Sequence, residues 1–95
     1  MIKDRIEELE EKGFSRWTKG NLDRLYINAA QLGLICSYYK TGNISNATFN
    51  GVSISNAEAR RMKGSKTFID IKTGKVYSDN ELLKKAAAEL AGLEY

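Results

Sequence analysis

The chain has 95 residues, 42% of them apolar and 28% charged, with a formal net charge of +3. That is one domain's worth of ordinary globular composition, enough to bury a core, and it argues against a disordered chain or a disulfide scaffold. A single cysteine, Cys36, and the absence of histidine exclude Ser-His-Asp and Cys-His catalytic arrangements and the usual zinc sites.

In chain order, Ile2, Ile6 and Leu9 recur at helical spacing among Lys and Glu, and Gly13 follows as a stop. This predicts an amphipathic helix over 2–12. Phe14 to Trp17 suits a short strand, and Arg24-Leu25-Tyr26-Ile27 suits a half-buried one. Asn28 to Gly33 reads as a helical turn capped by Asn28. Ile35 to Lys40 and Ile44 to Asn50 form a hairpin around Thr41-Gly42-Asn43. Ser55-Asn56-Ala57-Glu58 fits a capping box, with Ile54 and Ala59 placed as a hydrophobic staple, and opens a helix that Gly64 ends. Lys66 to Ile71 and Lys75 to Ser78 form a second hairpin around Lys72-Thr73-Gly74. Ser78-Asp79-Asn80-Glu81 repeats the capping pattern, with Ser78 as the expected cap and Tyr77 and Leu82 as the staple. The last helix carries Leu83, Ala86, Ala87, Leu90 and Leu93 on one face.

Short turns between consecutive strands predict an α+β fold over residues 1–95: one antiparallel sheet of about five strands with three helices, as a single small domain. No run of about 18 apolar residues is present, so no membrane span is expected. The first residues, Met1-Ile2-Lys3-Asp4-Arg5, lack an apolar leader core, which makes the cytoplasm the expected compartment. Charge is uneven: residues 1–12 and 76–95 each sum to −2, and residues 13–75 sum to +7. A basic middle between acidic ends suits an anionic partner, or simply a solvated lysine-rich surface.

Ser37-Tyr38-Tyr39-Lys40, Lys72-Thr73-Gly74 and Ser78-Asp79-Asn80 reproduce the three short signatures of serine β-lactamases. Their order is reversed, the chain is far too short for that fold, and each has a local role in a strand, turn or cap. No phosphate-binding loop, dinucleotide fingerprint or calcium loop occurs. Asp23 and Asp70 have no spacing that pairs them. No enzymatic activity, metal or cofactor is expected. Cys36 reads as a small buried hydrophobe, with a reactive thiol as the alternative.

The stretch from Arg16 to Asn28 mixes cations with Trp17 and Tyr26, and Tyr38, Tyr39, Lys40 and Phe49 follow. Sheets that bind single-stranded nucleic acid combine these types: rings stack on bases and cations meet phosphates. Strand alternation puts Arg24 and Tyr26 on one face and Leu25 and Ile27 on the other. The candidate nucleic-acid-binding residues are Arg16, Trp17, Lys19, Arg24, Tyr26 and Lys40, and Arg16, Lys19, Arg24 and Tyr26 are expected to lie together. A domain this small also needs aromatics in its core, which is the competing reading of the same rings.

Residues 16–28, with Ile54 to Ala59 and Phe68 to Ile71, resemble small uncharacterised proteins of bacterial phages and mobile elements. The resemblance spans about residues 13–80, implies no activity and carries no site residues. It favours a small protein whose work is binding. The partner expected from the residues is nucleic acid, or else a host protein engaged by a binding module or inhibitor.

Overall fold

The computed structural model describes residues 2–93; the side chains of Ile2 and Lys3 lie outside the described residues. It is α+β, as expected, with three α-helices among the described residues. The strands among the described residues number seven and divide between two antiparallel sheets, which corrects the expectation of about five in one sheet.

In chain order, the elements are α1 (Ile2–Glu11), β1 (Ser15–Lys19), β2 (Leu22–Ile27), a 3-10 turn (Ala30–Leu32) and β3 (Leu34–Tyr38). Then come β4 (Ile44–Phe49), β5 (Val52–Ile54), α2 (Asn56–Gly64), β6 (Thr67–Asp70), β7 (Lys75–Ser78) and α3 (Glu81–Leu90). The four-stranded sheet runs β1-β2-β6-β7, and the three-stranded sheet runs β3-β4-β5. β2 pairs with β6, far along the chain, and so leaves β3 free to start the second sheet.

Local chemistry explains most of the boundaries. β4 and β5 are joined by Asn50-Gly51, both at positive φ (50° and 83°). This two-residue turn with a left-handed pair matches the right-handed twist of its strands, and Asn-Gly is the pair best suited to it. Gly33 is required for a different reason: at φ +116°, a Cβ there would lie 1.9 Å from Asn50 Oδ1. Ahead of the 3-10 turn, Asn28 Oδ1 accepts from the Gln31 amide at 2.9 Å, and the Gln31 side chain accepts from the Asn28 amide at 3.0 Å. Asn28 thus does the capping work expected of it.

α2 starts where the sequence places it, with Ser55 Oγ accepting from the Glu58 amide at 3.0 Å. Glu58 does not reach back to the Ser55 amide. Its carboxylate accepts from Arg61 at 2.6 Å and from Asn80 Nδ2 at 3.3 Å, tying α2 to the start of α3. Those bonds, Arg61's first, hold the Glu58 carboxyl below the usual carboxylate range. The cap of α3 is Asn80 and not Ser78. Asn80 Oδ1 accepts from the amides of Leu82 and Leu83, both at 3.1 Å. Ser78 ends β7 instead, where its hydroxyl meets Thr67 Oγ1 at 2.9 Å and accepts from the Asn80 amide. Both residues can cap, and the strand pairing of Ser78 with Thr67 decides between them.

The core lies between the sheets and helices. Ile6 and Leu9 of α1, Leu25 and Ile27 of β2, Ile69 of β6, Met62 of α2 and Leu83 and Ala87 of α3 form one buried cluster with Leu34, Ile44, Ala47 and Phe49 of the second sheet. α3 packs on β6 and β7, and α2 packs on β3 and β4. Cys36 is half-buried against this core. No described helix is long and apolar enough to cross a membrane.

Candidate nucleic-acid interface

Directly paired residues of an antiparallel sheet share a face, so the register sorts the four-stranded sheet into two sides. The inner side presents Leu25, Ile27 and Ile69 to the helices. The outer side presents Ser15, Trp17 and Lys19 from β1, Leu22, Arg24 and Tyr26 from β2, Phe68 and Asp70 from β6, and Lys75 and Tyr77 from β7. None of these ten is buried.

Two rows cross this open face. One is Ser15, Tyr26, Phe68 and Tyr77; the other is Trp17, Arg24, Asp70 and Lys75. Phe68 sits at the centre of a stack. The Tyr77 ring lies against it with centroids 5.1 Å apart and planes 19° from parallel, and Tyr26 leans on it at 5.6 Å and 49°. The Arg24 guanidinium covers Phe68 with its central carbon 4.3 Å from the ring centroid. Because its neighbours occupy it, Phe68 is a support and offers no free platform. Trp17 and Tyr77 keep 43% and 44% of their surface exposed and offer free ring surface. Their strands stand three spacings apart, roughly 14 Å.

Arg24 is only partly satisfied. Its Nη1 donates to Tyr26 Oη at 3.3 Å, while its Nε is buried with no partner. An unpaired buried donor costs about 1–3 kcal/mol, which the cation–π contact with Phe68 offsets in part. Lys66 adds a cation 5.6 Å from the Tyr26 centroid, Lys75 ends the second row, and Lys19 lies just beyond it. Among the described residues, Asp70 is the one acid of the paired positions on this face. The surface is therefore aromatic and net cationic.

Of the residues expected from sequence, Trp17, Lys19, Arg24 and Tyr26 share this face. Arg16 does not join them: it pairs with Leu25 and so lies on the helix side. There it grips Asp23 with two bonds of 2.9 Å and reaches Glu10 of α1 at 3.0 Å. This planar two-pronged contact suits guanidinium and carboxylate. It raises the Arg16 pKa and holds the Asp23 carboxyl below the usual carboxylate range. Arg16 is thus a strut between α1 and the sheet. Lys40 is exposed in the turn between β3 and β4 of the other sheet, also away from this face. Next to that turn, Lys63 donates to Tyr38 Oη at 2.5 Å and lies over the Tyr38 ring, which raises the Lys63 pKa.

Phe68, Asp70, Lys75 and Tyr77 belong to the face and were not among the expected site residues. Alternation in β6, with Thr67 and Ile69 inward, is the signal that would have found them. Asp23 and Asp70 occupy opposite faces and form no carboxylate pair. Among the described residues, no cluster of His, Cys, Asp and Glu is placed to hold a metal ion. No known protein family, curated protein or solved structure matches this chain.

Proposed function

We propose that this chain is a non-enzymatic protein that binds single-stranded nucleic acid on the outer face of the four-stranded sheet. The observation that carries the reading is the pair of exposed rings, Trp17 and Tyr77, set on either side of a partly unpaired Arg24. Bases have flat faces that stack on such rings whatever their identity, and phosphates follow the cations beside them. The Phe68 stack fixes Arg24 and Tyr77 in place beforehand, which reduces the ordering cost of binding. The resemblance to proteins of phages and mobile elements supports an accessory role in such an element, acting in the cytoplasm.

A second reading, a module that binds a host protein, is favoured by Ile35 and Val52. Both are large, apolar and well exposed on the three-stranded sheet. Fluorescence anisotropy with short labelled DNA and RNA, at two salt concentrations, separates the readings. Binding at low salt that falls steeply as salt rises is expected for the nucleic-acid reading, because phosphate contacts release counterions. Arg24→Ala should weaken that binding and flatten its logarithmic salt slope by about one unit. No binding at low salt would reject the proposal and leave the protein partner.

A further inference from the structure

Tyr77 has one ring face to offer. Phe68 of β6 covers the other, with planes 19° from parallel and centroids 5.1 Å apart. β7 is the outermost strand of its sheet, so the free face of Tyr77 looks past the sheet edge and away from Arg24. A base stacked there lies beyond the strands, and the phosphates beside it need cations at that edge.

A groove opens at the same edge. It holds about 500 Å³ between β7 and α3, and Lys75, Val76, Tyr77, Lys84, Ala88 and Leu93 line it. That volume lies within the range of small-ligand sites. Lys75 stands two residues from Tyr77 on the same side of β7. Lys84 comes from α3, which packs on β6 and β7 from the inner side. The groove thus leads from the outer face around the sheet edge to the helix. Among the described residues, no acid lines it. Neither ammonium has an ion pair or hydrogen-bond partner among them. Two like charges on one groove repel each other, and an anion that enters it attracts both.

We propose that the single strand turns over the β7 edge: a base stacks on the outward face of Tyr77, and the adjoining phosphates enter the β7–α3 groove to meet Lys75 and Lys84. This rests on the nucleic-acid reading above and adds to it a contact on a helix, off the sheet face. An acidic peptide would be drawn by the same two cations but has no flat base for the ring. The continuity of the groove with Tyr77 favours the strand.

The test follows single-strand binding against salt for the wild-type protein, Lys84→Gln and Lys85→Gln. Each variant removes one charge from α3, but Lys85 does not line the groove. Lys84→Gln should weaken low-salt binding severalfold and flatten the logarithmic salt slope by about 0.7 of a unit, the share of one phosphate on a single strand. Lys85→Gln should leave the slope unchanged, and Lys84→Arg should keep it. In Tyr77→Ala, adding Lys84→Gln should change little further, because the ring holds the strand over the groove. In the wild-type protein, bound strand should shield Lys84 but not Lys85 from an amine-acylating reagent, a reading that needs no variant to fold. Equal slopes in Lys84→Gln and the wild type, an undiminished Lys84→Gln effect in Tyr77→Ala, or equal labelling of Lys84 with and without strand would overturn the groove while sparing the outer face. Oligoglutamate binding that depends on Lys84, when strand binding does not, would give the groove to an acidic peptide instead. No strand binding by the wild-type protein would overturn both.

Discussion

Trp17→Ala and Tyr77→Ala are each expected to weaken single-strand binding by roughly 1–3 kcal/mol, the worth of one base stacked on one ring. Both rings stand on edge strands with nearly half their surface exposed. Neither belongs to the buried cluster, so far-UV circular dichroism should be unchanged. Loss of an exposed strand aromatic costs at most about 1 kcal/mol of stability. The double variant should bind more weakly than either single one, because the rings are too far apart to share one base. Phe68→Ala should behave differently: it removes the support for Arg24, Tyr26 and Tyr77 together, and should lower stability as well as binding. Anisotropy titrations of the four proteins check this. Full affinity in both single variants would mean that the rings are not the platforms.

Ile69→Ala is expected to have the largest effect on stability, about 2–5 kcal/mol. Ile69 is fully buried on β6, an interior strand, with Leu25 of β2 and Val76 of β7 as its paired neighbours. Removing its branched side chain leaves a cavity that a sheet clamped on both sides cannot close. Domains of this size are stable by only about 5–15 kcal/mol, so the variant approaches unfolding at ordinary temperature. Urea denaturation reads the loss as a lower midpoint. A shift worth under about 1 kcal/mol would contradict the central place given to Ile69.

The helices were the legible part of the sequence because each is written locally. Gly13 and Ser55 mark helix ends that the structure keeps. The start of α3 was shifted by two residues because Ser78 and Asn80 both carry capping oxygens. What separates them is the Thr67–Ser78 contact, made between residues 11 apart in sequence. The two-sheet division rests on β2 pairing with β6, a long-range choice that no short window of sequence announces. β5 was legible in principle: Asn50-Gly51 is a hairpin signal between Phe49 and Val52.

On the site, alternation within β2 was enough to set Arg24 and Tyr26 against Leu25 and Ile27. The same rule applied to β1 separates Arg16 from Trp17, and the Arg16–Asp23 grip gives Arg16 a structural task. Lys40 was grouped by sequence nearness, which carries no weight once the chain has passed into another sheet. Phe68 meets Tyr77 across the β6–β7 hairpin, but it becomes a neighbour of Tyr26 only through the long-range pairing of β2 with β6, so the full aromatic stack is a property of topology more than of any motif.

Trp17 is the chain's one tryptophan, and it stands on the proposed interface, so its emission reports on that face alone. Titration of the wild-type protein with short single-stranded DNA or RNA at low salt should quench Trp17 fluorescence in a saturable way, and added salt should reverse the quenching. Emission that stays unchanged at an excess of strand would contradict the claim that the outer face of the four-stranded sheet binds nucleic acid.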